Sequence, residues 1–207
     1  MTALETPSTL RRIPKQARAR ERFGRILDAA RRELEMRPIA DVTIEAIAAR
    51  ADVPVGSLYQ YFASKSALLA AVAEAVMAEA DGLTSRVLAE CHGLAWRESV
   101  DRIIRITLEF LRASPDYRAL LRALRFTPEF AEITAASNER VADLFSLHPA
   151  FGRAGLSRAA ALAICRTVVT AVNALQDRAI ADESLDFESA IVECQRLAKG
   201  YLATHLP

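Results

Sequence analysis

The sequence predicts an all-α protein of about nine helices, with a small N-terminal three-helix unit followed by a larger helical bundle. Three observations carry that expectation. Apolar residues recur at steps of three and four along most of the 207 residues, the spacing of a single buried helix face. No segment alternates with period two for long enough to form a strand. The chain is 52% hydrophobic with only 7 Gly and 8 Pro, and its abundant Ala and its excess of Arg (24) over Lys (3) suit long helices.

Residues 1–17 contain Pro7 and Pro14 and show no apolar period, which predicts a flexible arm. From about Arg18 the pattern turns helical, with Phe23, Ile26, Leu27, Ala30 and Leu34 on one stripe. Pro38 disfavours helical geometry in the residue before it and closes this helix near Met36 or Arg37. Thr43 offers an N-cap hydroxyl to a second helix whose inner side is Ile44, Ile47, Ala48 and Ala51. The third residue on is Ala46 rather than Glu, so the reciprocal half of a capping box is missing. Asp52 falls where the chain reverses, a left-handed position that Gly fills most easily and Asp tolerates. Pro54 then costs no hydrogen bond near the first turn of a third helix, about 54–62, that buries Leu58 and Phe62.

Ser64 is placed to cap a fourth helix through Leu68, Leu69, Val72 and Val76. Five more are expected at about 96–113, 116–126, 128–147, 157–182 and 185–205, with joints at Pro115, Pro128, Pro149 and Gly155.

The net charge of +1 conceals an uneven distribution: residues 1–65 carry +4 and residues 66–207 carry −3. A basic N-terminal third on a mildly acidic body points to a polyanionic partner for that third alone. Cys91, Cys165 and Cys194 are far apart, without CxxC spacing or a His cluster, so neither a disulfide framework nor a metal site is expected. The N-terminus lacks the apolar core of a signal peptide. The longest apolar runs are broken by Glu74, Glu79, Arg166 and Asn173, short of the roughly 20 clean residues of a membrane span. A soluble cytoplasmic protein with no membrane partner is the expectation. His92, His148 and His205 lie apart, with no HExxH, nucleophile elbow or phosphate loop, so no enzyme and no cofactor is expected.

The chemistry concentrates between Thr43 and Lys65. With Leu58 and Phe62 facing inward, 100° per residue turns Gly56, Ser57, Tyr59 and Gln60 outward or sideways. Gly56 would let the backbone approach a duplex closely, and Ser57 and Gln60 can exchange hydrogen bonds with base edges. Tyr59 and Tyr61 offer hydroxyls to phosphates, Lys65 adds a cation, and Thr43 sits at a helix N-terminus that attracts a phosphate. Val55 is open to two readings, contact with a thymine methyl or a plain helix start, and Tyr61 is also placed to join the core. The arm residues Arg11, Arg12, Lys15, Arg18 and Arg20 could track phosphates or enter a minor groove, or form a solvated basic tail.

Residues 18–80 resemble the N-terminal domain of the TetR family of bacterial transcriptional regulators. The carrying residues are Ile26 to Ala30, then Thr43, Ile47, Ala48, Ala51 and Val53, and above all the run from Gly56 to Phe62 with Ser64, Lys65, Leu68 and Leu69. Asp52, where the family often has Gly, and Pro54, where Ser or Thr is common, are departures. The resemblance implies a DNA surface of Thr43, Val55, Gly56, Ser57, Tyr59, Gln60, Tyr61 and Lys65. It also implies a homodimer on a palindromic double-stranded operator, usually a repressor, and an unidentified small-molecule effector. The domains become a basic arm (1–17), a helix-turn-helix domain (18–64) and an effector-binding and dimerisation domain (65–207). An activator, or an all-α ligand-binding or interaction protein without specific DNA recognition, is the alternative.

The last two helices are apolar over arcs wide enough to need cover on more than one side, which a second subunit supplies. Val168, Val172, Leu175, Ile191, Cys194, Leu197, Ala198 and Tyr201 are therefore the expected dimer interface. For the effector, the middle helices offer Ile104, Thr107, Phe110, Leu111, Tyr117, Leu121, Leu124 and Phe130. Asn173 and Gln176, polar residues in an apolar helix, join that inventory of mostly apolar walls with a few placed polar groups. It suits an apolar or aromatic ligand with few charges.

Overall fold

A computed structural model describes residues 16–91, 93–182 and 184–207. Among these the chain forms ten helices and no β-strand. They fall into two compact units: the chain up to Val76 together with Pro115–Ala131, and Met77–Ser114 together with Glu132–Pro207.

The first unit begins with α1 (Ala17–Met36), whose inward stripe is Ile26, Ala29, Ala30 and Leu34. Arg37 is extended at φ −151° and Pro38 follows, so the helix stops at the expected place. In α2 (Ile44–Ala51), Thr43 Oγ1 accepts from the Ala46 amide at 3.1 Å. The helix ends in a Schellman motif, with Val53 N–H bonded to Ala48 O at 3.1 Å and Asp52 N–H to Ala49 O at 3.2 Å. Asp52 takes the left-handed residue of that motif at φ 54°, and it is the sole non-glycine with positive φ among the described residues.

The next helix, α3 (Val55–Tyr61), buries Leu58, which joins Ile26, Ile47 and Phe62 among the fully buried side chains of this unit. Ser64 Oγ caps α4 (Lys65–Glu90) by accepting from the Ala67 amide at 3.1 Å. That helix continues past Val76 to Glu90. Helix α6 (Pro115–Leu124) packs on α1, where Arg31 Nε donates to the buried Asp116 carboxylate at 2.6 Å.

The second unit contains α5 (Trp96–Ala113), most of α7 (Pro128–Phe145), α8 (Pro149–Arg153), α9 (Arg158–Ala181) and α10 (Phe187–Leu202). The five-residue α8 is the one helix with no sequence expectation, because a single turn is too short to show a period. The core joins Trp96, Val100, Phe145, Phe151, Cys165 and Leu202. Helix α10 packs along both α9 and α5.

By length and composition alone α9 could cross a membrane. In the fold it is a bundle helix that packs on α5 and α10, and its Arg166 pairs with Glu139 of α7. Cys91, Cys165 and Cys194 are free and buried. Burial pushes the Cys165 thiol up to about 12 and that of Cys194 up to about 11, which keeps both protonated and unreactive.

Candidate nucleic-acid interface and ligand cavity

The first unit holds α2 and α3 as a helix-turn-helix, and its rigidity comes from three long-range contacts. Phe23 of α1 meets Tyr61 edge-on at 5.5 Å and stacks on Phe62 at 5.4 Å, which fixes the end of α3 against α1. Arg50 of α2 donates to buried Glu33 of α1 at 2.6 Å. Lys65 Nζ donates to the carbonyl of Ile39 at 2.8 Å, tying the start of α4 to the loop after α1. Glu33 and Arg50 have no local signature in the sequence that would mark them as a pair.

These contacts divide the residues expected to meet DNA. Thr43, Gly56, Tyr59 and Gln60 are exposed and Val55 is half-buried, so this set forms the open face of the motif. Tyr61 is 3% exposed and Ser57 9%, so both side chains belong to the interior of the unit. Lys65 is half-buried with its ammonium committed to Ile39. A methyl group built on Gly56 would meet nothing within 4 Å, so packing inside the protein does not require glycine there. Arg18 and Arg20 lie exposed in the first turn of α1, which holds no acidic residue, with Glu21 following in the next. Arg11, Arg12 and Lys15 lie outside the described residues.

A second site lies wholly within the second unit. Helices α4, α5, α7, α9 and α10 surround a cavity of about 90 Å³. Ile104, Thr107, Leu111, Asn173 and Gln176 line it, as the sequence inventory anticipates. Phe110 is half-buried on α5 and does not line it, while Tyr117, Leu121, Leu124 and Phe130 belong to the first unit. Asp81, Thr84, Ser137 and Asn138 also line the cavity; they sit on long helices where nothing local sets them apart from surface polar residues.

The residues expected at a dimer interface also divide. Val168, Val172, Ile191, Cys194 and Ala198 are buried within the single chain, whereas Leu175 and Tyr201 are half-buried and Leu197 is exposed.

A buried Ser–His contact invites an enzymatic reading, and its geometry opposes one. His148 Nδ1 accepts from the Ala150 amide at 3.2 Å, so the ring proton sits on Nε2, 3.3 Å from Ser99 Oγ. A nitrogen that carries the proton cannot take one from Ser99, and both residues are buried. No group of His, Cys, Asp and Glu among the described residues could hold a metal ion.

A helix-turn-helix followed by a helical bundle with a cavity is the architecture of a DNA-binding transcriptional regulator. Residues 26–72 match the model for bacterial regulatory proteins of the tetR family, and residues 95–202 match that for the tetracyclin repressor-like C-terminal domain. The chain belongs to the TetR family of bacterial regulatory proteins.

Solved structures agree on the fold. A TetR-family transcriptional regulator from Streptomyces coelicolor is similar at 25% identity and a TM-score of 0.64, over 91% of this chain and 99% of that one. A TetR transcriptional regulator from Rhodococcus sp. RHA1 is 20% identical with a TM-score of 0.63, over 89% and 97% of the two chains. The multidrug binding protein EbrR, complexed with imidazole, is 22% identical with a TM-score of 0.63, over 85% and 94%. No curated protein matches the chain.

Proposed function

We propose that the protein is a homodimeric cytoplasmic repressor, bound to a palindromic operator and released from it by a small, mostly apolar effector. The observation that carries this reading is the open face of α3, where Gly56, Tyr59 and Gln60 stand exposed beside the capped start of α2 at Thr43. Gln60 is the base reader of that face, suited to a bidentate contact with adenine. Tyr59 and Thr43 serve the phosphates, and Val55 is placed for a thymine methyl. Ser57, Tyr61 and Lys65 hold the reading head in shape. Arg18 and Arg20 load a helix N-terminus with the unfavourable sign of charge, a cost that a phosphate backbone offsets.

Seven residues of α3 provide too little contact for a tight site, and a two-fold pair of heads roughly 34–36 Å apart reads successive major grooves. The exposed face of α9 supports pairing: Ala163, Thr167, Thr170 and Ala174 are small, uncharged and spaced by four, three and four. Exposed Val192 and Leu197 of α10 add apolar surface.

The cavity supports effector control, as does the imidazole complex of the structurally similar EbrR. Helix α4 follows α3 directly and continues past Val76 to Asp81 and Thr84 on the cavity wall. A ligand there acts on the helix that leaves the reading head. A coupling of about 1–3 kcal/mol would weaken operator binding roughly 5–150-fold.

Selection of operators from random DNA, followed by fluorescence anisotropy, tests the reading. A two-fold symmetric site is expected, with affinity falling steeply as salt rises. No binding at low salt would sink it.

A further inference from the structure

We infer that the cavity of the second unit is built for an uncharged amphipathic molecule, with its hydrogen-bonding head at Gln176 and its apolar body toward Leu202. The inference rests on reading this cavity as the effector site and adds the chemical class of the ligand.

The α7 and α9 walls are polarised along their length: on α7, Asn138 precedes Val141 and Phe145, and on α9, Asn173 and Gln176 follow Val168 and Val172, while on α5 Thr107 lies between the apolar Ile104 and Leu111. Two cross-helix bonds join four of the polar members, on α4, α5 and α7. Thr84 and Thr107 hydroxyls lie 3.2 Å apart, and Ser137 Oγ donates to Asp81 Oδ1 at 2.6 Å. The opposite level is continuous with the apolar core through Val100, Ile104, Phe145, Val168 and Leu202.

Three carboxamides at the polar level are unused. Asn138, Asn173 and Gln176 have no side-chain hydrogen bond among the described residues, although Gln176 is only 6% exposed. Gln176 lines the cavity and its amide atoms are not sealed inside the protein, so a ligand there can reach them. Each carboxamide can both donate and accept, so together they fit a head group that does the same.

The charges around the wall exclude ions. Among the described residues no Lys, Arg or His lines the cavity, so a carboxylate or phosphate would be desolvated there without a counter-charge. Asp81 is the one charged residue among those described on the wall, and both its oxygens are engaged, Oδ1 by Ser137 and Oδ2 by Arg140 Nε at 2.7 Å. An organic cation therefore finds its only anion already paired. A cavity of about 90 Å³ is well above the roughly 10–15 Å³ that one water needs, so it has room for a small organic molecule.

Isothermal calorimetry on the full chain at pH 7 with octanamide, octanoate and octylammonium tests this, because the three share one tail and differ in head charge. Octanamide is expected to bind about tenfold or more tightly than either ion. Gln176→Leu and Asn138→Leu should each weaken octanamide by about 3- to 10-fold while retaining the wild-type circular dichroism. Octanoate or octylammonium binding as tightly as octanamide would overturn the proposal. So would an octanamide affinity unmoved by either folded variant, or no binding of any of the three. Operator anisotropy in the same samples separates the two readings: octanamide that binds through Gln176 but leaves operator affinity unchanged supports the cavity chemistry and counts against effector release.

Discussion

Arg50 of α2 donates from Nε to Oε1 of Glu33 at 2.6 Å, and Glu33, a charged residue of α1, is 2% exposed. The other carboxylate oxygen lies 3.0 Å from Arg37 Nε, but without hydrogen-bond geometry. Arg50 thus supplies the directional bond and Arg37 only nearby charge. Arg50→Ala should destabilise the protein by about 2 kcal/mol, below the ~3–5 of a fully buried pair because Arg50 is itself part-exposed. Arg37→Ala, the removal of a more exposed partner, should cost less than about 1 kcal/mol. Urea unfolding of the two variants decides the order; equal losses would mean that Arg50 is no special clamp.

Asp52 occupies the left-handed position of the α2 Schellman motif at φ 54°. That backbone costs an L-residue roughly 1–2 kcal/mol, and the greater entropy of unfolded glycine returns part of any gain. Asp52→Gly should therefore be neutral to about 1 kcal/mol stabilising. Asp52→Ala, which keeps the Cβ and loses the local polar side chain, should be destabilising by about 1 kcal/mol. Thermal melts that rank Ala above Gly would contradict the strained-turn account.

The same turn shows where sequence suffices. The caps at Thr43 and Ser64 and the reversal at Asp52 are local, set by residues within three or four positions, and all stand where the sequence puts them. Ser57 and Tyr61 show where it does not. Helical phase places them beside the inward pair Leu58 and Phe62, and only the position of Phe23, far back in the chain, turns Tyr61 into core. Lys65 has the same history, because its partner is a backbone carbonyl 26 residues away. On α9 and α10 an apolar arc is equally consistent with cover from the same chain or from a second one. Packing assigns Val168, Ile191 and Cys194 to the first kind and leaves Leu197 uncovered.

Gly56 separates stability from recognition. A Cβ there has open space on every side, and Ala is the better helix former by about 1 kcal/mol. Gly56→Ala should leave the protein as stable as before or up to about 1 kcal/mol more so, and yet weaken operator binding, because the methyl adds bulk on the proposed DNA face. Gln60→Ala should instead relax base preference at one operator position, by about 1–3 kcal/mol between right and wrong bases. Unfolding curves measured beside anisotropy titrations test both. A Gly56→Ala protein with unimpaired DNA affinity would remove this face from the interface.

Acid should loosen the second unit. Hydrogen bonds from Arg166 hold Glu139 below its ordinary value of 4.5, and those from Arg105 do the same for Glu188. Asp182 and Asp186 are held below 3.8 by bonds from Ser184 and Ser189. A carboxylate lowered by folding contributes stability above its unfolded value and loses it as pH falls through the folded one. Stability should therefore be flat above about pH 5 and decline from there through the carboxylate range and below. Glu139, Asp186 and Glu188 are exposed and Asp182 is half-buried, so each contribution is small, and added salt should shrink the share from the two Arg–Glu pairs. Circular dichroism at stepped pH, with and without salt, reads this directly; a stability maximum below pH 4 would refute it.

Leu197 tests the subunit contact without disturbing the core. It is 38% exposed on α10, while Ile191, two turns earlier, is fully buried in the same chain. An arginine at an exposed position costs the isolated chain little, whereas in an apolar pairing face it meets its own copy near the two-fold axis and repels it. Leu197→Arg should leave helix content intact and shift the protein from dimer to monomer in sedimentation equilibrium. Affinity for the full operator should fall toward that for a half-site. Ile191→Ala, by contrast, should destabilise each chain by about 2–5 kcal/mol through the cavity it leaves, with little effect on assembly of the folded fraction. If Leu197→Arg stays dimeric and binds the operator normally, the pairing surface lies elsewhere, and the uncharged face of α9 through Thr167 and Thr170 becomes the surface to mutate next.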